Sequence, residues 1–157
     1  MFSFRRATWR QMILALVMLG IVGLIVELLL LEHTDSLTQW IPLVSLGVGV
    51  VITLAAAIRP TRGTLRAFQM VMAVFVAAGT FGLYFHFKGN IEWALERDPE
   101  LSGLPLIWKA LTGATPTLAP GALAQLGLLG LIYAYRHPAL NRDSIRPDRE
   151  SAAMDLP

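Results

Sequence analysis

The chain has no cysteine among its 157 residues and only three histidines. Without thiols there is no disulfide, no thiolate metal site and no redox-active cysteine. Charge is scarce too: Asp, Glu, Lys and Arg together make up 15% of the sequence. Catalytic signatures are missing as well. The H-E-x-x-H pair of zinc proteases is absent. No glycine-rich phosphate loop follows a strand, and no Ser, His and Asp stand in an order that suggests a hydrolase. No pair of aspartates lies inside an apolar run, which excludes that form of intramembrane proteolysis. The reading is therefore non-enzymatic, with no catalytic residue, no cofactor and no metal.

Hydrocarbon fills the chain instead. Hydrophobic residues make up 55% of it, and the mean hydropathy is +0.57. Four apolar stretches carry this weight, at residues 11–31, 41–58, 67–87 and 118–135. A helix needs about 20 residues to cross ~30 Å of hydrocarbon, so the first and third fit comfortably and the other two fall at the short end. Within all four, only Glu27 and His86 can carry a charge. The expected fold is an all-α integral membrane protein of four transmembrane helices, with short amphipathic helices in the outer loop between helices 3 and 4. Residues 1–135 form its transmembrane domain and residues 136–157, polar and broken by prolines, a disordered cytoplasmic tail. The outer loop, residues 88–117, is too short to build a core of its own, which takes roughly 40 residues or more.

Charge placement sets the expected orientation. Arg5, Arg6 and Arg10 precede the first run, and Arg59, Arg62 and Arg66 separate the second from the third. Arg136, Arg142, Arg146 and Arg149 follow the last, while Lys88, Arg97 and Lys109 alone lie on the other side. Short loops rich in Lys and Arg stay in the cytoplasm, so both termini are placed inside a bacterial-type inner membrane. The basic surplus thus reads as topology, and nucleic acid is not expected as a partner. Glu32, Asp35, Glu92, Glu96, Asp98 and Glu100 make the opposite side acidic. The first run is too long for a cleaved signal peptide and reads as a retained signal anchor.

Local signals mark the boundaries. Arg59-Pro60 closes the second helix, since the residue before proline avoids the α region. Thr117 suits the N-cap of the fourth, with Pro120 in its first turn. In the outer loop, Asn90 is expected to cap a short helix from Ile91 to Asp98, and a second short helix covers Leu104 to Leu111. Leu104, Ile107, Trp108 and Leu111 form one apolar stripe on it, expected to be buried against the bundle, with a lid or docking surface lying in the outer interface as the alternative. The run LTGATPTLAPG at 111–121 carries turn and capping chemistry and no further mechanism. Gln125 reads as an interhelical hydrogen-bond donor, and Met12, Met18, Met70 and Met72 as packing.

One intramembrane constellation remains. Gly20, Gly23 and Glu27 share a face of the first helix, and Gly79, Gly82 and His86 repeat that spacing in the third. Gly127 and Gly130 do the same in the fourth. Small residues mark helix contact faces in lipid, so these faces are expected to point inward and to carry Glu27 and His86 with them. Counted from Arg10 and Arg66, the two side chains differ in depth by about 4.5 Å. A mutual Glu27–His86 contact near the outer end of the bundle follows, because a buried carboxylate is costly unless paired. His33, Glu32, Asp35, Asn90 and Glu92 are the possible outer-face ligands, although their spacing matches no metal motif.

The functional expectation is a small structural or accessory subunit of a larger membrane complex. Its partners would be membrane lipids and other integral subunits. Two alternatives stand beside it: an oligomeric transporter or channel using Glu27, and an outer-face metal-binding sensor using His86 with Glu27 or His33.

Overall fold

Helix ends follow local chemistry more closely than hydropathy does. The computed structural model describes residues 9–32 and 37–141, and among these every regular element is a helix: α1 Trp9–Leu30, α2 Leu37–Ile58, α3 Arg62–Arg97, α4 Gly103–Leu111, α5 Gly121–Ala134 and the single turn α6 Pro138–Asn141. His33, Asp35 and the tail beyond Asn141 lie outside the described residues. The stop at Arg59-Pro60 stands where expected, with α2 ending at Ile58. Thr61 then caps α3: its hydroxyl accepts from the Thr64 amide at 3.2 Å, satisfying one orphan donor of the first turn.

α1, α2 and α3 are each long and apolar enough to cross a membrane. In the most apolar 18-residue window of each, only 17–22% of residues are buried inside the protein. Most of their surface is therefore left for lipid or for another protein. α5 is equally apolar but has 14 residues, about 21 Å of rise. The run that was expected to start the fourth helix at 118 begins instead with tight turns, Gly121 N–H on Leu118 O and Leu123 N–H on Pro120 O.

α3 departs most from expectation. Its 36 residues run unbroken past the end of the apolar run, so no separate helix begins at Ile91. Lys88 ends the hydrocarbon stretch without ending the helix. Gly89 and Asn90 are poor helix formers, yet the helix carries on through them into Glu92-Trp93-Ala94-Leu95-Glu96, and Lys88 pairs with Glu92 one turn on, at 3.6 Å. Asn90 lies inside α3, where it cannot cap.

The chain divides into two compact units, Met1–Val71 with Leu129–Pro157, and Met72–Leu128. The first holds α1, α2, the start of α3 and the end of α5. α1 packs on α2, with Leu14, Val17 and Ile21 buried on one and Leu46, Thr53 and Ala56 on the other. Arg10 reaches from the start of α1 to the end of α5. Its guanidinium donates to the carbonyls of Tyr133 at 2.6 Å, Tyr135 at 3.1 Å and Arg136 at 3.2 Å. Tyr133 O is one of the last-turn carbonyls that a helix C-terminus leaves without partners, and Tyr135 O and Arg136 O follow directly after the helix end. Tyr133 stacks edge-on against Phe68 near the start of α3, and its hydroxyl lies 3.5 Å from Ala56 O near the end of α2. The arginine-bearing ends of four helices thus gather at one end of this unit.

The second unit is built on backbone contact between α3 and α5. A Cβ added at Gly79 would sit 2.5 Å from Ala124 N, and one at Gly127 would sit 2.5 Å from Met72 O. Gly82 faces the Pro120 ring in the same way. Only glycine permits so close an approach.

Candidate functional site

The most heavily bonded side chain described is Asn90. It is 1% exposed, projecting from α3 into the segment that joins α4 to α5. Its amide nitrogen faces three acceptors: Ala110 O at 2.9 Å, Thr115 O at 2.8 Å and Thr117 Oγ1 at 2.9 Å. Its Oδ1 accepts from the Thr115 amide at 3.1 Å and the Thr115 hydroxyl at 2.9 Å. Thr117 Oγ1 in turn donates to Ala110 O at 2.8 Å. Thr117 is thus no N-cap of α5; its hydroxyl is spent inside this network. Two amide hydrogens shared among three acceptors leave Asn90 saturated. It works as a clasp fixing residues 110–117 to α3, with no free lone pair to offer a metal.

Gly113 makes the clasp possible. A Cβ there would lie 2.5 Å from Asn90 Cγ, so the loop can close over the amide only without a side chain at this position. The unexplained run at 111–121 therefore has a role: a glycine to admit the amide, two threonines to bond it and prolines to stiffen the turn.

His86 stands one turn before Asn90. Its Nδ1 donates to Pro116 O at 3.2 Å. Because a carbonyl can only accept, Nδ1 is the protonated nitrogen in this contact. Beside it an open pocket of about 260 Å³ is lined by Phe85, His86, Asn90, Trp93 and Thr115, among others. Trp93 itself is covered by the Arg97 guanidinium, 3.8 Å from the ring centre.

The other candidate residues fall as follows. Gly79, Gly82 and Gly127 line the α3–α5 contact; Gly130 is buried and Gly20 half-buried. The glycine face of α1 is turned outward rather than inward: Gly23 and Glu27 are both exposed, and a Cβ at Gly23 would meet nothing within 4 Å. The reason lies in the bulk of α1, which packs through Leu14, Val17 and Ile21 on another side. Glu27 belongs to the first unit and His86, held by Pro116 O, to the second. Glu32 is exposed in a left-handed turn with φ 50°, and Glu92 is exposed beside Lys88. Among the described residues no three His, Asp or Glu side chains gather as a metal-binding group.

Other hydroxyls in the spans are satisfied locally. Ser45 and Thr80 each donate to the carbonyl four residues back, at 2.7 Å. Thr53 is the exception, with its buried hydroxyl unpartnered among the described residues. The clasp escaped sequence reading because Asn90 reads as a cap when the apolar run is taken to end the helix. The one signal for it was the unusual Gly-Ala-Thr-Pro-Thr run twenty-odd residues downstream.

Comparison with protein-family models, with curated proteins and with solved structures finds no match to this chain.

Proposed function

We propose that this chain is a small non-enzymatic integral subunit of a larger inner-membrane assembly, docking through the outward face of α1. The observation that carries this reading is the exposed Gly23–Glu27 pair. A carboxylate that faces lipid within a span is costly unless it is paired. Glu27 stands three residues before the end of α1 at Leu30, with four leucines following it before the next charge. Four residues before it, Gly23 leaves an open notch where a second helix can approach the backbone. A notch and a carboxylate on one face suit a partner helix that supplies a hydrogen-bond donor.

In this reading the chain crosses the membrane four times, α5 and its preceding turns forming the last crossing, with both termini in the cytoplasm. The gathering of Arg10, the end of α2, the start of α3 and the end of α5 at one end of the first unit favours an even number of crossings. The positive-inside bias then assigns that end to the cytoplasm.

The test is isolation from native membranes in mild detergent, with a photo-crosslinking residue replacing Val26 on the α1 face. The wild-type chain should recover other integral proteins and crosslink to one of them. A charge-assisted hydrogen bond is worth about 1.5–3 kcal/mol, so Glu27→Leu should weaken recovery about 10- to 100-fold. Recovery of the wild-type chain as a lone, monodisperse species overturns the proposal.

A further inference from the structure

α4 turns its apolar stripe away from the protein. Leu104 is 79% exposed and Trp108 68%, with Ile107 and Leu111 exposed beside them. Ala110, on the opposite side, is fully buried against the clasp. The sequence pattern was expected to bury this stripe against the bundle; the Asn90 bond to Ala110 O fixes the helix by its other face instead.

We propose that α4 is an interfacial helix whose stripe is seated in the lipid bilayer at the headgroup–acyl boundary. Depth selects this occupant. The apolar run of α3 ends at Lys88, and Asn90 is two residues further along, about 3 Å of rise. Because Asn90 grips Ala110, the C-terminal end of α4 is held within about one helical turn of the hydrocarbon edge. That is the level where tryptophan rings and the long stems of lysines settle, and Trp108 and Lys109 are at this end. The neighbouring surface at this depth is apolar too: Phe81, Tyr84 and Phe85 of α3, one to three turns before Asn90, are exposed, and so is Leu118 after the clasp. Interfacial helices bury their apolar side about 5–10 Å into the boundary. With a single charge in nine residues, α4 has little to keep it in water.

The absence of cysteine makes the test direct. Leu104→Cys, Trp108→Cys and Leu111→Cys each take a nitroxide in the full chain, reconstituted into phosphatidylethanolamine–phosphatidylglycerol vesicles. Phe85→Cys serves as the lipid reference, Glu100→Cys as the aqueous one and Lys109→Cys as the off-stripe site. All six side chains are exposed, so labelling leaves packing intact. The ratio of oxygen to nickel-chelate collision rates should match the lipid reference at the three stripe sites. It should exceed the value at Lys109→Cys and Glu100→Cys several-fold. Ratios equal to the aqueous reference, while Phe85→Cys stays lipid-like, overturn the proposal. So does an immobilised label shielded from both reagents, which means a protein covers the stripe. Aqueous access at Phe85→Cys as well would sink the spanning role of α3 itself.

Discussion

Replacing Asn90 by aspartate changes two hydrogens and almost no volume, and the clasp predicts a severe effect. The native amide donates two hydrogens into a cluster of three oxygens, Ala110 O, Thr115 O and Thr117 Oγ1, all within 2.9 Å. A carboxylate keeps the two bonds accepted from Thr115 but turns lone pairs toward those oxygens. Thr117 can rotate to donate to it only by giving up Ala110 O. Each net hydrogen bond is worth about 0.5–1.5 kcal/mol, so losing all four that the amide can make in Asn90→Ala costs about 2–4 kcal/mol after allowing for water at the exposed Thr115. Asn90→Asp should cost at least as much, since it adds a buried charge with no donor to spare. Protonation restores one donor and removes the charge. Folding therefore favours the protonated acid, and the deficit of the aspartate variant should shrink as pH falls and grow as pH rises. Equilibrium unfolding in detergent micelles measures the loss, and thermolysin cleavage between residues 111 and 118 reports local release of the loop. Asn90→Asp as stable as the native chain at neutral pH, with an equally protected loop, would refute the network.

Three further outcomes follow from packing and capping. Gly127→Ala should destabilise by about 1–3 kcal/mol, because its Cβ meets backbone atoms of Met72 and Val76. Gly47→Ala, with nothing within 4 Å of the new Cβ, should be neutral or stabilising by up to about 1 kcal/mol in the same unfolding assay. Arg10→Lys should cost about 1 kcal/mol, since an ammonium is a point donor and cannot span three carbonyls with a planar fork. Amide exchange at the last turn of α5 should accelerate with it, and unchanged exchange would refute the capping role.

The three long apolar helices were legible because hydropathy over about 20 residues is a cumulative signal that no single residue can cancel. Their ends were less so. Lys88 ends the apolar run but not α3, because charge sets where lipid stops while hydrogen bonding sets where a helix stops. Glycine spacing identified Gly79 and Gly127, yet the same spacing at Gly23 is turned outward. Periodicity names a face without naming what covers it. The stripe on α4 shows the same limit: its residues were correct and its direction was not, since direction depends on which carbonyl Asn90 holds. Asn90 itself is a long-range contact, invisible to any local rule.

The meeting of α3 and α5 has a mechanical consequence. At Gly79 and Gly127 the atoms in the way of a larger residue are main-chain nitrogen and oxygen, which cannot swing aside as side chains do. Sliding one helix past the other would drive Val76 or Ala124 into the space that the glycines leave. The pair has a single working register, like a key in its slot. Residues 72–83 and 120–127 must travel as one stiff lever, and any flexing of that unit has to occur beyond it.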